Sequence, residues 1–203
     1  MQIRQLKTED TEQFCSLIVD MYSHLQNLEW FTPMPYDFES VKKMIENERF
    51  YIVGLFMEDK LMAISSLDYK CGKLKDKIDF SSVFDVDNMV EISFSIVHSS
   101  FQGKKAMQLL IDVLQIKIKI DSIKHVFGKV HKDNIASKKS FLNKNFIHFC
   151  DYTKGVNKKD FEELSNAPFF SPVAKPRAEE SLLKNKDNDE IMVDYDILIK
   201  TLN

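Results

Sequence analysis

The sequence predicts an α/β protein of the α+β kind, with helices laid on the faces of a mixed sheet. Two observations lead there. Apolar residues recur at two periods in turn, alternating in some segments and spaced by three and four in others. The segments run strand, two helices, three strands, helix, strand, helix, two strands, an order that builds one mixed sheet. A chain of 203 residues can bury a substantial core, so one domain over 1–203 is the expectation.

The elements follow in order. "IRQLK" alternates and reads as a short strand. In "DTEQFCSLIVDMYSHLQ", Phe14, Leu17, Ile18, Met21, Tyr22 and Leu25 fall on one helix face, and Asp10 with Gln13 resembles a helix start. The two prolines of "LEWFTPMPYD" break that helix. Asp37 is placed to cap a second, with Phe38, Val41, Met44 and Ile45 on one side. "FYIVGLFMEDKLMAISSLDYK" reads as a hairpin turning near Glu58–Lys60, and "CGKLKDKIDFSSVFDVDN" as a polar loop. "MVEISFSIVH" is a strand, Met107, Leu110, Ile111 and Leu114 mark a helix, and "SIKHVFGKVH" is a strand. "NIASKKSFLNKN" is a short helix, and "FIHFCDYT" and "IMVDYDILIK" are strands. Between the last two, residues 154–190 are charged and contain prolines, with short helices expected around "KKDFEEL" and "AEESLLK".

Charges of both signs and a net charge of −3 argue against nucleic acid as the main partner. Cys15, Cys71 and Cys150 form no CxxC pair and make no metal-ligand spacing with the five histidines, so free thiols and no metal are expected. The start "MQIRQLKTED" has no apolar signal region, and no apolar run approaches a membrane span. The reading is a soluble, cytoplasmic protein without a membrane partner.

The chemistry concentrates in "IVHSSFQGKKAMQLLIDVLQ". A strand ends at His98, and a polar turn with Gly103, Lys104 and Lys105 opens a helix. A helix N-terminus leaves backbone amides unpaired and carries partial positive charge, which suits a phosphate. Gly103 lets the backbone turn and approach a ligand. The stretch is neither a P-loop, since His98 stands where the first glycine belongs and Lys105 where Ser or Thr does, nor a Rossmann fingerprint. On these residues alone, a solvated helix start with incidental lysines is the other reading.

"VEISFSIVHSSFQGKKAMQLL" resembles the fourth strand, loop and third helix of the GNAT superfamily of acyl-CoA N-acyltransferases, where a "VHP"-like step precedes Q/R-x-x-G-x-G/A. Gln102 begins the motif, Lys105 takes its middle glycine position and Met107 its last. "VHKDNIASKKSFLNKNFIHF" is similar to the family's N-x-x-A/S-x-x-x-Y-E-K-x-G-F segment. Asn134, Ser137 and Phe146 are in register, Phe141 replaces the tyrosine and Asn145 the glycine. The resemblance implies a mostly antiparallel sheet of about seven strands flanked by about four helices.

It also implies a function: transfer of an acetyl group from acetyl-CoA to a primary amine of a small molecule or peptide, by direct attack. The alternative is a non-catalytic acyl-CoA-binding or interaction module of the same fold. By resemblance the pyrophosphate lies over the amides of Gln102, Gly103, Lys104, Lys105, Ala106 and Met107, with Lys105 presenting its amide at negative φ. Ile96, Val97 and His98 offer backbone groups to the pantetheine arm beside a strand bulge. Glu91 is the candidate base, sharing a face with Ser93 and Ser95 by alternation. Asn134 caps its helix and reaches the pantetheine arm. Phe141 lacks the hydroxyl that protonates the departing thiolate in relatives; His98 is the candidate substitute acid, against water, unassisted departure of the thiolate, and a histidine simply exposed at a strand end. Glu29, Trp30, Phe31 and Tyr36 are candidates for the acceptor pocket, against plain aromatic packing. Phe169 and Phe170 form the apolar tip of the 154–190 segment, expected to lie over the acceptor, to pack on the body or to meet a second subunit in a homodimer.

Overall fold

The computed structural model describes residues 1–71, 78–81 and 83–202. Seven strands form one sheet: β1 (Gln2–Gln5), β2 (Phe50–Met57), β3 (Lys60–Asp68), β4 (Met89–Val97), β5 (His125–His131), β6 (Ile147–Asn157) and β7 (Glu190–Thr201), in the order β1-β2-β3-β4-β5-β7-β6. All neighbours are antiparallel except β4 and β5. Helices α1 (Thr11–His24), α2 (Phe38–Glu46), α3 (Ala106–Ile120) and α4 (Ile135–Leu142) join these strands, as the sequence predicts. Two more, α5 (Lys158–Ser165) and α6 (Lys175–Lys184), come from the inserted segment.

The sheet divides the core. Phe14, Leu17, Ile18 and Tyr22 of α1 pack on one face with Ile64 and Ile96. Leu110, Ile111, Leu114 and Ile118 of α3 pack on the other with Val90, Ile92 and Val126. The β2–β3 turn has Glu58 at φ 49° and Asp59 at φ 66°, two left-handed residues in a two-residue hairpin loop. Asp37 caps α2 by accepting from the Ser40 amide at 2.9 Å.

Three local expectations are corrected. Asp10 does not cap α1 with its side chain; it takes a bidentate pair with Arg4, both contacts at 2.7 Å, while Gln13 accepts from the Leu61 amide. The stretch expected as a polar loop carries a small third core, in which Phe80 lies tilted at 5.2 Å from Phe127 and stacks at 5.4 Å on Phe149; its residues 72–77 and 82 lie outside the described residues. Residues 154–157 extend β6 instead of beginning a flap.

The insertion is packed into the body. Phe161, Leu164, Phe170, Ala174 and Ala178 join the α1-side core, and the Ser171 amide donates to the Tyr22 carbonyl at 3.0 Å. Of the adjacent pair at its tip, Phe170 is buried, and Phe169 meets Tyr36 edge-on at 4.9 Å.

Candidate functional site

A bulge in β4 opens the sheet. β4 carries Ser93 and Phe94 opposite the one residue Ser66 of β3, a bulge that bends the strand. β4 pairs with β5 only from Met89↔His125 to Ile92↔Gly128. Beyond that point Ser93–Val97 and Lys129–His131 separate and line a cavity of about 810 Å³. The bulge also exchanges faces. Ser93 bonds Ser66 and Ser95 bonds Ser65, which are successive residues of β3 and so point to opposite sides. The expected shared face of Glu91, Ser93 and Ser95 is thereby corrected: only Ser93 stays on the Glu91 side.

At one end of the cavity lies the turn into α3. Gln102, Gly103, Lys105, Ala106 and Met107 line it. Gly103 has φ 76° and Lys105 φ 60°, so the turn alternates between left-handed and ordinary backbone, the geometry of an anion-binding concavity. The expected negative φ at Lys105 is corrected: the lysine adopts the conformation its glycine counterpart would take. No side chain caps α3, so its first amides keep their donor capacity. Lys104 does not line the cavity; its ammonium lies over the Phe101 ring at 4.8 Å. Asn134 caps α4 by accepting from the Ser137 amide at 3.1 Å, and it lines the cavity wall. Phe141 is buried there against Phe146, and its ring sits so close to Gly128 that a Cβ at Gly128 would fall 2.6 Å from it. Asn145 holds φ 62° after α4, the left-handed role expected of it.

Glu91 lies on the floor, 6% exposed, and among the described residues its side chain has no hydrogen bond or ion pair. Burial pushes its carboxyl up to about 7, against the pull of Lys129. Around it stand the Arg49–Asp68 pair, joined at 2.8 and 2.5 Å, with Lys129 and Lys154. Burial lowers the Lys129 ammonium to about 8. Residue types alone did not single out Arg49, Asp68, Lys129 or Lys154. The available signal was Lys129, a lysine inside the apolar strand "HVFGKV".

The far wall is the 25–35 segment, including Trp30 and Phe31 as expected. Two candidates for that wall are corrected. Glu29 does not line the cavity: its carboxylate accepts from Ser181 of α6 and lies 3.6 Å from His131, whose proximity holds it below the usual carboxylate range. Tyr36 is exposed and packs outside against Phe169. His98 is corrected too. Its amide donates to the Met62 carbonyl, its Nδ1 accepts from the Ser100 amide, and its Nε2 lies 3.7 Å from Asp20, in a separate small depression. Neither its ring nor its amide is available to the large cavity.

Among the described residues no disulfide joins Cys15, Cys71 and Cys150, and the Cys71 thiol donates to the Met89 carbonyl at 3.4 Å. His148, Asp151 and Asp196 converge on the β6–β7 surface, where Lys132 and Lys138 already supply counter-charge. No helix among the described residues is long and apolar enough to cross a membrane.

No protein-family model matches the chain, and no curated protein matches it significantly. Solved structures do match. An acetyltransferase of the GNAT family from Streptococcus pneumoniae is similar at 11% identity over 100% of this chain and 99% of that one, with a TM-score of 0.62. The ribosomal-protein-alanine N-acetyltransferase of Brucella melitensis matches at 14% identity over 100% of both chains, with a TM-score of 0.65. The Salmonella typhimurium structure yncA, solved with its cofactor acetyl-CoA, matches at 13% identity over 100% of this chain and 94% of that one, also at 0.65. At such identities the likeness shows the fold: this chain has the GNAT acyl-CoA N-acyltransferase fold.

Proposed function

We propose that the protein transfers the acetyl group of acetyl-CoA to an amine by direct attack of the amine on the thioester. One observation carries this reading. Glu91, a buried carboxyl that titrates near neutral pH, faces the same split in the sheet whose other end is an uncapped, left-handed turn into α3. The cavity's features fit the co-substrate: paired left-handed residues and free helix amides for a pyrophosphate, and strand residues 93–97 without a β5 partner for an amide-bearing arm.

Acetyl-CoA supplies the activated acyl group. Gln102 to Met107 hold its charged end through backbone amides. Ile96 and Val97 position the arm, and Asn134 meets it through its amide nitrogen, since its oxygen is engaged by Ser137. Glu91 removes a proton from the acceptor ammonium, which has no lone pair until it does so. Phe141 has no proton to give, so the sulfur departs as thiolate or takes its proton from water.

Phe141 also favours a second reading, a module that binds acyl-CoA without turning it over. Thiol release from acetyl-CoA against a panel of amines separates the two. Transfer predicts turnover that falls ~100- to 10,000-fold in Glu91→Gln with CoA affinity nearly unchanged. Binding with no turnover on any amine supports the module.

A further inference from the structure

The acceptor side of the cavity holds a cation that, among the described residues, has no hydrogen-bond or ion-pair partner. Arg49 has Asp68 as its partner, and Lys154 reaches the Thr32 hydroxyl at 3.5 Å. Lys129 is different. It lines the cavity, its ammonium lies 5.0 Å from the centroid of the Tyr195 ring, and among the described residues it makes no hydrogen bond and has no carboxylate within 4.0 Å. A buried charge without a partner is costly. Glu91 acts on it electrostatically but makes no ion pair with it, and that influence is lost once Glu91 has taken a proton from the acceptor. The missing partner therefore belongs to whatever occupies the pocket.

Register sets the spacing. Glu91 pairs with Phe127, so Lys129 lies two residues further along the adjacent strand and on the same face. Two residues of rise and one strand spacing separate their Cα atoms by about 8 Å. A molecule whose amine meets Glu91 can thus reach Lys129 with a group only a few bonds away. Resting on the acyl-transfer reading above, we propose that the acceptor carries a carboxylate close to its reacting amine, as a short amino acid or dipeptide does, and that Lys129 binds that carboxylate. A polyamine is disfavoured by the same geometry, because its second cation would face Lys129.

The test uses matched pairs: glycine, β-alanine, 4-aminobutyrate and glycylglycine, each against its carboxamide, with spermidine alongside. The proposal predicts that in at least one pair the acid exceeds the amide by ~30-fold in kcat/KM, as for a desolvated ion pair. Lys129→Met brings that ratio within ~3-fold of unity and Lys129→Arg keeps part of it, while CoA binding reports that both variants fold. Amides used as well as acids, spermidine preferred over all acids, or an unchanged ratio in Lys129→Met each overturn it. A second measurement needs no turnover. N-acetylglycylglycine and its amide are titrated into the protein saturated with CoA, and melting is followed. A rise with the acid alone supports the carboxylate site even if no acceptor is acetylated, in which case transfer and not this site is at fault. Equal shifts, or none with either, overturn the site whether or not transfer occurs.

Discussion

Glu91 shows how placement sets chemistry at a single residue. Burial raises its pKa, Lys129 offsets part of the rise, and Asp68 adds to it. Its folded value of about 7 lies above the ordinary 4.5. The sign follows from linkage. This group favours the folded state fully below about pH 4.5, and that contribution is lost as pH rises through 7. Glutamine stays neutral throughout. The stability of Glu91→Gln relative to the parent should therefore rise by about 2–3 kcal/mol between pH 5 and pH 8.5 in urea denaturation. A difference independent of pH would contradict the assigned burial cost. The candidacy of Glu91 was legible from its place in "MVEISFSIVH". Its environment was not, because Arg49, Asp68, Lys129 and Lys154 come from four separate stretches that only the sheet brings together. Glu29 misled for the converse reason: an acidic residue beside aromatics looks like a cation site, but its partners, His131 and Ser181, lie more than a hundred residues away.

At the scale of elements, the turn into α3 and the bulge in β4 make the site. Gly103 holds φ 76°, and a Cβ there meets nothing within 4 Å. Gly103→Ala is consequently a backbone test alone, costing about 1–2 kcal/mol if the turn is kept. Gly103→Pro cannot keep it, since proline fixes φ near −65° and removes an amide. Its CoA affinity should fall at least ~10-fold by calorimetry with the far-UV spectrum unchanged, and full affinity in that variant would refute the loop assignment. The strand–turn–helix order of this region was readable from periodicity. The bulge was not, because period two carries no mark of an extra residue. That one residue moved Ser95 to the opposite face, and the same strand end holds His98 with its amide on Met62 and its ring near Asp20.

Over the whole molecule, the inserted α5 and α6 behave as part of the core. The charged end at 186–190 read correctly as surface, the other end did not, and both helices were placed within three residues at each end. Their docking was not legible, because it depends on α1 and the 28–36 loop. Phe170 and Phe169 now separate into distinct tests. Phe170→Ala should cost about 3–5 kcal/mol, the range for a buried phenylalanine. Phe169→Ala should cost less. It loosens Tyr36, which belongs to the same segment as the cavity wall, so it should raise the acceptor KM while leaving the acetyl-CoA KM unchanged. Equal losses of stability in both variants, with unaltered kinetics, would contradict this division. A dimer-to-monomer shift in Phe169→Ala would assign the tip to a subunit interface.

The central claim is that a carboxyl in the β4–β5 split deprotonates the acceptor. Its most direct test is the pH dependence of kcat/KM for the best amine found, in the parent and in Glu91→Gln. The account predicts a limb rising with unit slope to a plateau, with its midpoint near the Glu91 value of about 7. That limb should disappear in Glu91→Gln along with most of the rate. A limb set only by the free amine's own titration, with Glu91→Gln turning over as fast as the parent, would contradict it.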